Sequence, residues 1–137
     1  MSRLSFLSDA RDPVHLEVRG AVDSLQPADG ERLLPLGPGR SLLAGARAGA
    51  RERLAADGFL AYDMTGALTM LELEGDHLLR RLTDLAPEQL PAVGSVTRGT
   101  PALIEPLGQS RFGLYVPREL GQYVADVVAD LERGLGR

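Results

Sequence analysis

Glu72, Glu74 and Asp76 stand at alternate positions beside Leu71 and Leu73. Two carboxylates flanking a substrate can do general acid–base work. On an extended strand Glu72 and Glu74 share a face, so the pattern would present them together. The plainer reading is a solvated strand face, with Asp76 in the first turn of a helix, where the helix dipole favours negative charge. The plainer reading is the expectation.

The remaining reactive groups are few. His15 and His77 are the only histidines, and neither His-x-x-x-His nor His-Glu-x-x-His occurs. Zinc would need ligands gathered from distant segments. His15 alternates with Leu16 and reads as a solvated or core-edge histidine. The chain has no cysteine, which excludes disulfides, thiolate metal sites and a thiol nucleophile. It has no lysine either, which excludes Schiff-base chemistry. Gly37-Pro38-Gly39-Arg40 lacks the Lys-Ser/Thr of a phosphate loop and reads as a hairpin turn. Gly108-Gln109-Ser110-Arg111 reads the same way. Gly39-Arg40-Ser41-Leu42-Leu43 lacks the second glycine of a nucleophile elbow, and Ser95 and Ser110 have no nearby histidine. No nucleophile, base and orienting group assemble from this inventory. No catalytic, cofactor-binding or metal-binding residue is therefore assigned, and no flavin, metal or nicotinamide is expected on this chain.

Composition narrows the class further. A chain of 137 residues with 44% hydrophobic content has the size of one domain and can bury a core. Its net charge is −4 with acids and bases interleaved, so the basic stripe of a nucleic-acid binder is missing. No apolar run reaches the ~20 residues that span a bilayer. Residues 1–7 lack the basic region and long apolar stretch of a signal peptide. These features predict a cytoplasmic protein without nucleic-acid or membrane partners.

Elements must position whatever the chain presents. After Pro117, apolar residues at Leu120, Val124, Val127, Val128 and Leu131 mark one face of a helix, with Pro117 at its first position. Before it, residues 112–116 alternate as a half-buried strand. Residues 67–74 form another strand, followed by a short helix carrying Leu78, Leu79 and Leu82. Residues 93–97 and 102–105 read as strands punctuated by Gly99-Thr100-Pro101, and residues 59–64 as a strand bridging towards this unit. The expected core is Leu16, Val18, Leu43, Leu54, Leu71, Leu73, Leu78, Leu82, Leu114, Val116, Val124, Val127 and Leu131.

Two segments recur in order. His15-Leu16-Glu17-Val18-Arg19-Gly20 matches Met70-Leu71-Glu72-Leu73-Glu74-Gly75. Pro35-Leu36-Gly37-Pro38-Gly39-Arg40 matches Pro106-Leu107-Gly108-Gln109-Ser110-Arg111. The comparison makes residues 41–44 a strand and starts the next helix near Ala46. It predicts a single α+β domain of two duplicated β-α-β-β-α halves, with mixed or antiparallel sheets and helices packed on them. The first half, residues 14–57, is shortened, because residues 21–26 hold little more than one helical turn. The second half is residues 58–137. Residues 1–12 form an N-terminal arm, in which apolar Leu4, Phe6 and Leu7 either tuck onto the core or mark a partner surface.

Asp63-Met64-Thr65, Leu71-Glu72-Leu73-Glu74-Gly75-Asp76, Leu78-Leu79-Arg80-Arg81-Leu82 and Phe112-Gly113-Leu114-Tyr115-Val116-Pro117-Arg118 resemble the gamma subunit of heterotetrameric sarcosine oxidase. That family belongs to the aminomethyltransferase-like folate-binding superfamily. Leu36-Gly37-Pro38 followed by Ser41-Leu42-Leu43 resembles the first half of that subunit. Thr65 stands where the family has Ser, and Glu74-Gly75-Asp76 lacks its Pro. The resemblance implies a pseudo-twofold fold and a scaffold role beside larger flavin- and folate-dependent subunits. The superfamily's catalytic carboxylate corresponds to a position near Val124, so folate catalysis is not carried over. The expected function is a non-catalytic accessory subunit of a sarcosine-oxidase-like amine-oxidising complex in one-carbon metabolism. The alternatives are a stand-alone folate or small-molecule binder and a self-associating homo-oligomer.

Overall fold

Alternation of apolar residues with a period of two dominates this chain, and strands accordingly dominate the structure. The computed structural model describes residues 3–6, 14–47, 49–97 and 99–135. In chain order the elements are β1 (Arg3–Phe6), β2 (Val14–Arg19), β3 (Arg32–Gly37), β4 (Arg40–Ala46), α1 (Ala50–Ala56), β5 (Leu60–Asp63), β6 (Leu68–Glu74), α2 (Asp76–Leu82), β7 (Ala92–Val96), β8 (Thr100–Gly108), β9 (Arg111–Pro117) and α3 (Gly121–Leu135). The chain divides into two compact units. One is Asp9–Gly66. The other is Ala67–Arg137 together with Met1–Ser8.

In the first unit, β3-β4-β2-β5 form an antiparallel sheet. Leu16, Val18, Leu43 and Ala46 turn one face towards Ala50 and Leu54 of α1. A 3-10 turn spans Val22–Ser24, and Val22 and Leu25 close the core there. The expected boundary at residues 57/58 is corrected. Strand β5 pairs with β2 from Leu16↔Asp63 to Arg19↔Leu60, so the segment read as a bridge completes the first sheet. The strand at residues 41–44 extends to Ala46 because Ala46 still pairs with Val14, and this delays the helix to Ala50.

The second unit is a five-stranded antiparallel sheet in the order β1-β6-β9-β8-β7. Leu71, Leu73, Leu114 and Val116 pack on Leu78, Leu79 and Leu82 of α2 and on Val124 and Val128 of α3. Leu131 is partly buried against this cluster, and Val127 is half-buried. Strand β9 is buried on both faces, not half-buried, since Tyr115 and Gly113 are closed off as well as Phe112, Leu114 and Val116. Pro117 still pairs with Leu68 and ends β9. The Arg118 N–H donates to the Ala67 carbonyl (2.9 Å), so a 3-10 turn intervenes and α3 starts at Gly121. Strand β8 begins at Thr100, pairing with Val96, and absorbs part of the expected punctuation.

The structure describes part of the arm. Arg3–Phe6 is an edge strand of the second unit's sheet, with Leu4 opposite Leu73 and Phe6 opposite Leu71. Leu7 lies outside the described residues. No helix is long and apolar enough to cross a membrane among the described residues.

Leu71 sits at the centre of the second core and is fully buried. Leu71→Ala should lower stability by about 2–5 kcal/mol through lost burial and the cavity left behind. A urea midpoint unchanged from wild type would show that the face assignment of β6 is wrong.

Candidate functional site

Two hairpins carry the recurring segments, and their geometry matches point by point. Both shift register at the same place, between Pro35 and Gly37 in β3–β4 and between Pro106 and Gly108 in β8–β9. Both then turn through a left-handed residue, Gly39 at φ 68° and Ser110 at φ 58°. The carbonyl of that residue accepts a hydrogen bond from the glycine ending the neighbouring strand. Gly20 N–H donates to Gly39 (3.1 Å) and Gly75 N–H to Ser110 (2.7 Å). Gly20 (φ 134°) and Gly75 (φ 122°) hold backbone conformations that L side chains rarely adopt.

The carboxylates of the recurring strands serve these hairpins. Glu17 Oε1 accepts from Arg40 Nη2 (3.2 Å), and its Oε2 accepts from Arg19 Nε (2.6 Å). Glu72 pairs with Arg111 in the same diagonal arrangement. The registers agree: Glu17 lies opposite Leu42 with Arg19 opposite Arg40, and Glu72 opposite Gly113 with Glu74 opposite Arg111. The Arg40 hydrogen bond holds the Glu17 carboxyl below the ordinary glutamate range; burial opposes it and Arg19 adds to it. Asp76 opens α2 and accepts from the Ser110 hydroxyl (3.2 Å). The three carboxylates singled out by spacing are thus part of the strand and hairpin structure. Gly37-Pro38-Gly39-Arg40 is the hairpin turn itself.

Asp63-Met64-Thr65 is a latch at the end of β5. Asp63 Oδ1 accepts from the Thr65 N–H (2.9 Å), and Thr65 Oγ1 accepts from the His15 N–H (2.9 Å). Backbone and hydroxyl hydrogen bonds from Thr65 lower the Asp63 pKa. His15 is buried at the strand and held by this latch. His77 is exposed on α2, with no described carboxylate and histidine set large enough to hold a metal ion. Val124 is fully buried in the helix-side core.

Two buried carboxylates escaped the sequence reading. Glu105, on β8, accepts from the Tyr115 hydroxyl at 2.6 Å, and both residues are buried. Glu31 is a hub in the first unit. Its carboxylate accepts from the Ala28 N–H (2.9 Å), the Arg47 N–H (3.1 Å) and Arg53 Nη2 (2.6 Å). A signal existed in Ala28-Asp29-Gly30-Glu31, where a turn places a carboxylate three residues after a free N–H.

No protein-family model matches the chain, and no curated protein sequence is significantly similar to it. A solved structure is similar to it: a chain of the heterotetrameric sarcosine oxidase from Corynebacterium sp. U-96, in complex with pyrrole 2-carboxylate. The two superpose with a TM-score of 0.73 at 17% identity, covering 94% of this chain and 82% of that chain. The α+β fold is therefore that of a chain in this complex. At this identity the likeness is one of fold.

Glu31 gives the clearest titration. Burial alone would raise its pKa, but the hydrogen bonds from Ala28, Arg47 and Arg53 outweigh it and leave the pKa lowered. A carboxyl lowered on folding stabilises the fold above its unfolded pKa and loses that contribution as pH falls through its folded pKa. Glu31→Gln should cost roughly 1–3 kcal/mol at about pH 7. The gap to wild type should narrow at about pH 3. Urea melts at both pH values measure it, and a gap independent of pH would contradict the assignment.

Proposed function

We propose that this chain is a non-catalytic accessory subunit of a sarcosine-oxidase-like amine-oxidising complex, in the position of the gamma subunit. The observation that carries this reading is the fold likeness, over 94% of the chain, to a chain of a heterotetrameric sarcosine oxidase. The side-chain inventory supports it. Glu17 and Glu72 of the recurring segments, and Asp76 beside them, are engaged in strand and hairpin contacts, and the position that the resemblance gives to a catalytic carboxylate falls near Val124, a core residue. A scaffold of this kind acts by docking, and its partners would be the larger flavin- and folate-dependent chains.

Internal duplication belongs to the same reading. The order β3-β4-β2-β5 in one unit parallels β8-β9-β6-β1 in the other. The shared register shifts, left-handed turn residues, glycine hydrogen bonds and Glu–Arg diagonals support descent of both from one half. The first half would then have lost the counterparts of α2 and β7. The segment carrying Leu4, Phe6 and Leu7 is proposed as part of the docking surface. As an edge strand, β1 offers a backbone edge that another chain can pair with.

Affinity purification of the natively expressed, tagged chain tests the proposal. The expected eluate contains larger chains in fixed stoichiometry and the visible absorbance of flavin. Elution of the chain alone and colourless would contradict it, and tight tetrahydrofolate binding by that free chain would favour the stand-alone binder instead.

A further inference from the structure

Aspartate is followed by glycine twice in the chain, at Asp29-Gly30 and Asp57-Gly58. In this pairing a main-chain nitrogen can attack the preceding carboxyl, because glycine puts no side chain in the way. The structure treats the two sites differently. Asp57 caps α1, and its N–H donates to the Arg53 and Leu54 carbonyls (3.2 and 3.1 Å). The Gly58 N–H donates to the Ala55 carbonyl (3.1 Å). Attack from the Gly58 nitrogen therefore needs the end of the helix to open first.

Asp29-Gly30 has no such protection. It forms the tip of the turn that leads into β3. The Glu31 N–H donates to the Ala28 carbonyl (3.0 Å) and Gly30 stands at φ 83°, as the third residue of a type II turn does. Asp29 and Gly30 are both exposed. Neither the Gly30 N–H nor the Asp29 carboxyl makes a hydrogen bond or ion pair among the described residues. The same turn places Glu31, whose Oε1 accepts from the Ala28 N–H (2.9 Å) while Oε2 accepts from the Arg47 N–H (3.1 Å). It has little slack, since a Cβ on Gly45 of β4 would lie 2.7 Å from the Gly30 carbonyl oxygen. A change in the length of the turn must therefore disturb the Glu31 contacts.

We infer that Asp29 is a site of spontaneous isomerisation to isoaspartate, and that this modification loosens the Glu31 hub. The Gly30 nitrogen loses its proton and attacks Asp29 Cγ. The new N–C bond forms as one carboxyl oxygen leaves as water, which closes a five-membered succinimide. Water then adds to one of the two ring carbonyls. Addition at the main-chain carbonyl breaks the original peptide bond, and the chain afterwards runs through Cβ and Cγ. One water leaves and one returns, so mass and oxidation state are unchanged. The turn gains one carbon in its main chain, which draws the Ala28 N–H out of register with Glu31. The inference stands independently of the proposed subunit role.

Prolonged warm incubation of the full chain at neutral pH tests it, followed by tryptic digestion and electron-transfer sequencing of peptides 20–32 and 54–80. Isoaspartate should accumulate at Asp29 about threefold or more faster than at Asp57, a ratio set by the hydrogen bond that the Gly58 N–H must give up. In the urea-unfolded chain the two sites should react at similar rates. The aged protein should melt below the fresh protein. Asp29→Glu, whose side chain would have to close a six-membered ring, should keep its melting temperature through the same incubation. Absence of isoaspartate at Asp29 overturns the site, as does equal accumulation at Asp57 in the folded chain. The same bias in the unfolded chain would overturn the structural cause, and unchanged melting of protein isomerised at Asp29 would overturn the link to Glu31.

Discussion

One unit depends on the register between β2 and β4 and the other on that between β6 and β9, and the same contacts hold the register in both. A glycine at the end of β2 or β6 donates its N–H to the left-handed residue of the turn. A glutamate three positions earlier reaches diagonally to the arginine that begins β4 or β9. A one-residue slip would break both contacts and would turn the leucines of β2 and β6 away from their helices. The pairs are unequal in weight. Glu17 is almost wholly buried and Glu72 is less so, so losing Arg40 would leave that buried charge to Arg19 alone, whereas Arg111 forms a weaker, more exposed pair.

With the register fixed, the helices have defined faces to cover. Leu78, Leu79 and Leu82 of α2 and Val124 and Val128 of α3 close the second sheet. In the first unit one short helix and a 3-10 turn suffice, with Val22 and Leu25 part of the core. The ionisable groups follow the same logic. Glu31 gathers a turn, the start of α1 and Arg53, and Thr65 ties the end of β5 to His15. These groups hold backbone in place, and that is the property expected of a scaffold beside chemistry done on other chains.

Much of this was legible in the sequence because it rests on local rules. The alternation in residues 67–74 and the spacing Val124, Val128, Leu131 gave the right faces, while Leu120 lies in the 3-10 turn before α3 and Val127 is half-buried. The recurrence of Pro-Leu-Gly-x-x-Arg located two hairpins of the same geometry. Long-range pairing was not legible. Nothing local in Leu60-Ala61-Tyr62-Asp63 says that it joins β2, and nothing local in residues 3–6 says that they pair with a strand some 70 positions later; strand partners are set by tertiary packing. Pro117 misled for a related reason. Proline suits the first position of a helix, but the pairing of Leu68 with Pro117 kept it in the strand. Among the candidate site residues, Glu72, expected on a solvated strand face, is ion-paired with Arg111, and Asp76 stands in the first turn of α2, while Glu31 and Glu105 were missed because their partners lie on other elements.

The account's central claim is that this chain supports amine oxidation without performing it. Sarcosine-dependent oxygen consumption, measured for the co-purified large chains with and without this chain added back, tests that claim directly. The account predicts no turnover by this chain alone and recovery of activity or of thermal resistance when it rejoins the large chains. Turnover by the isolated chain, or large chains indifferent to its presence, would contradict it.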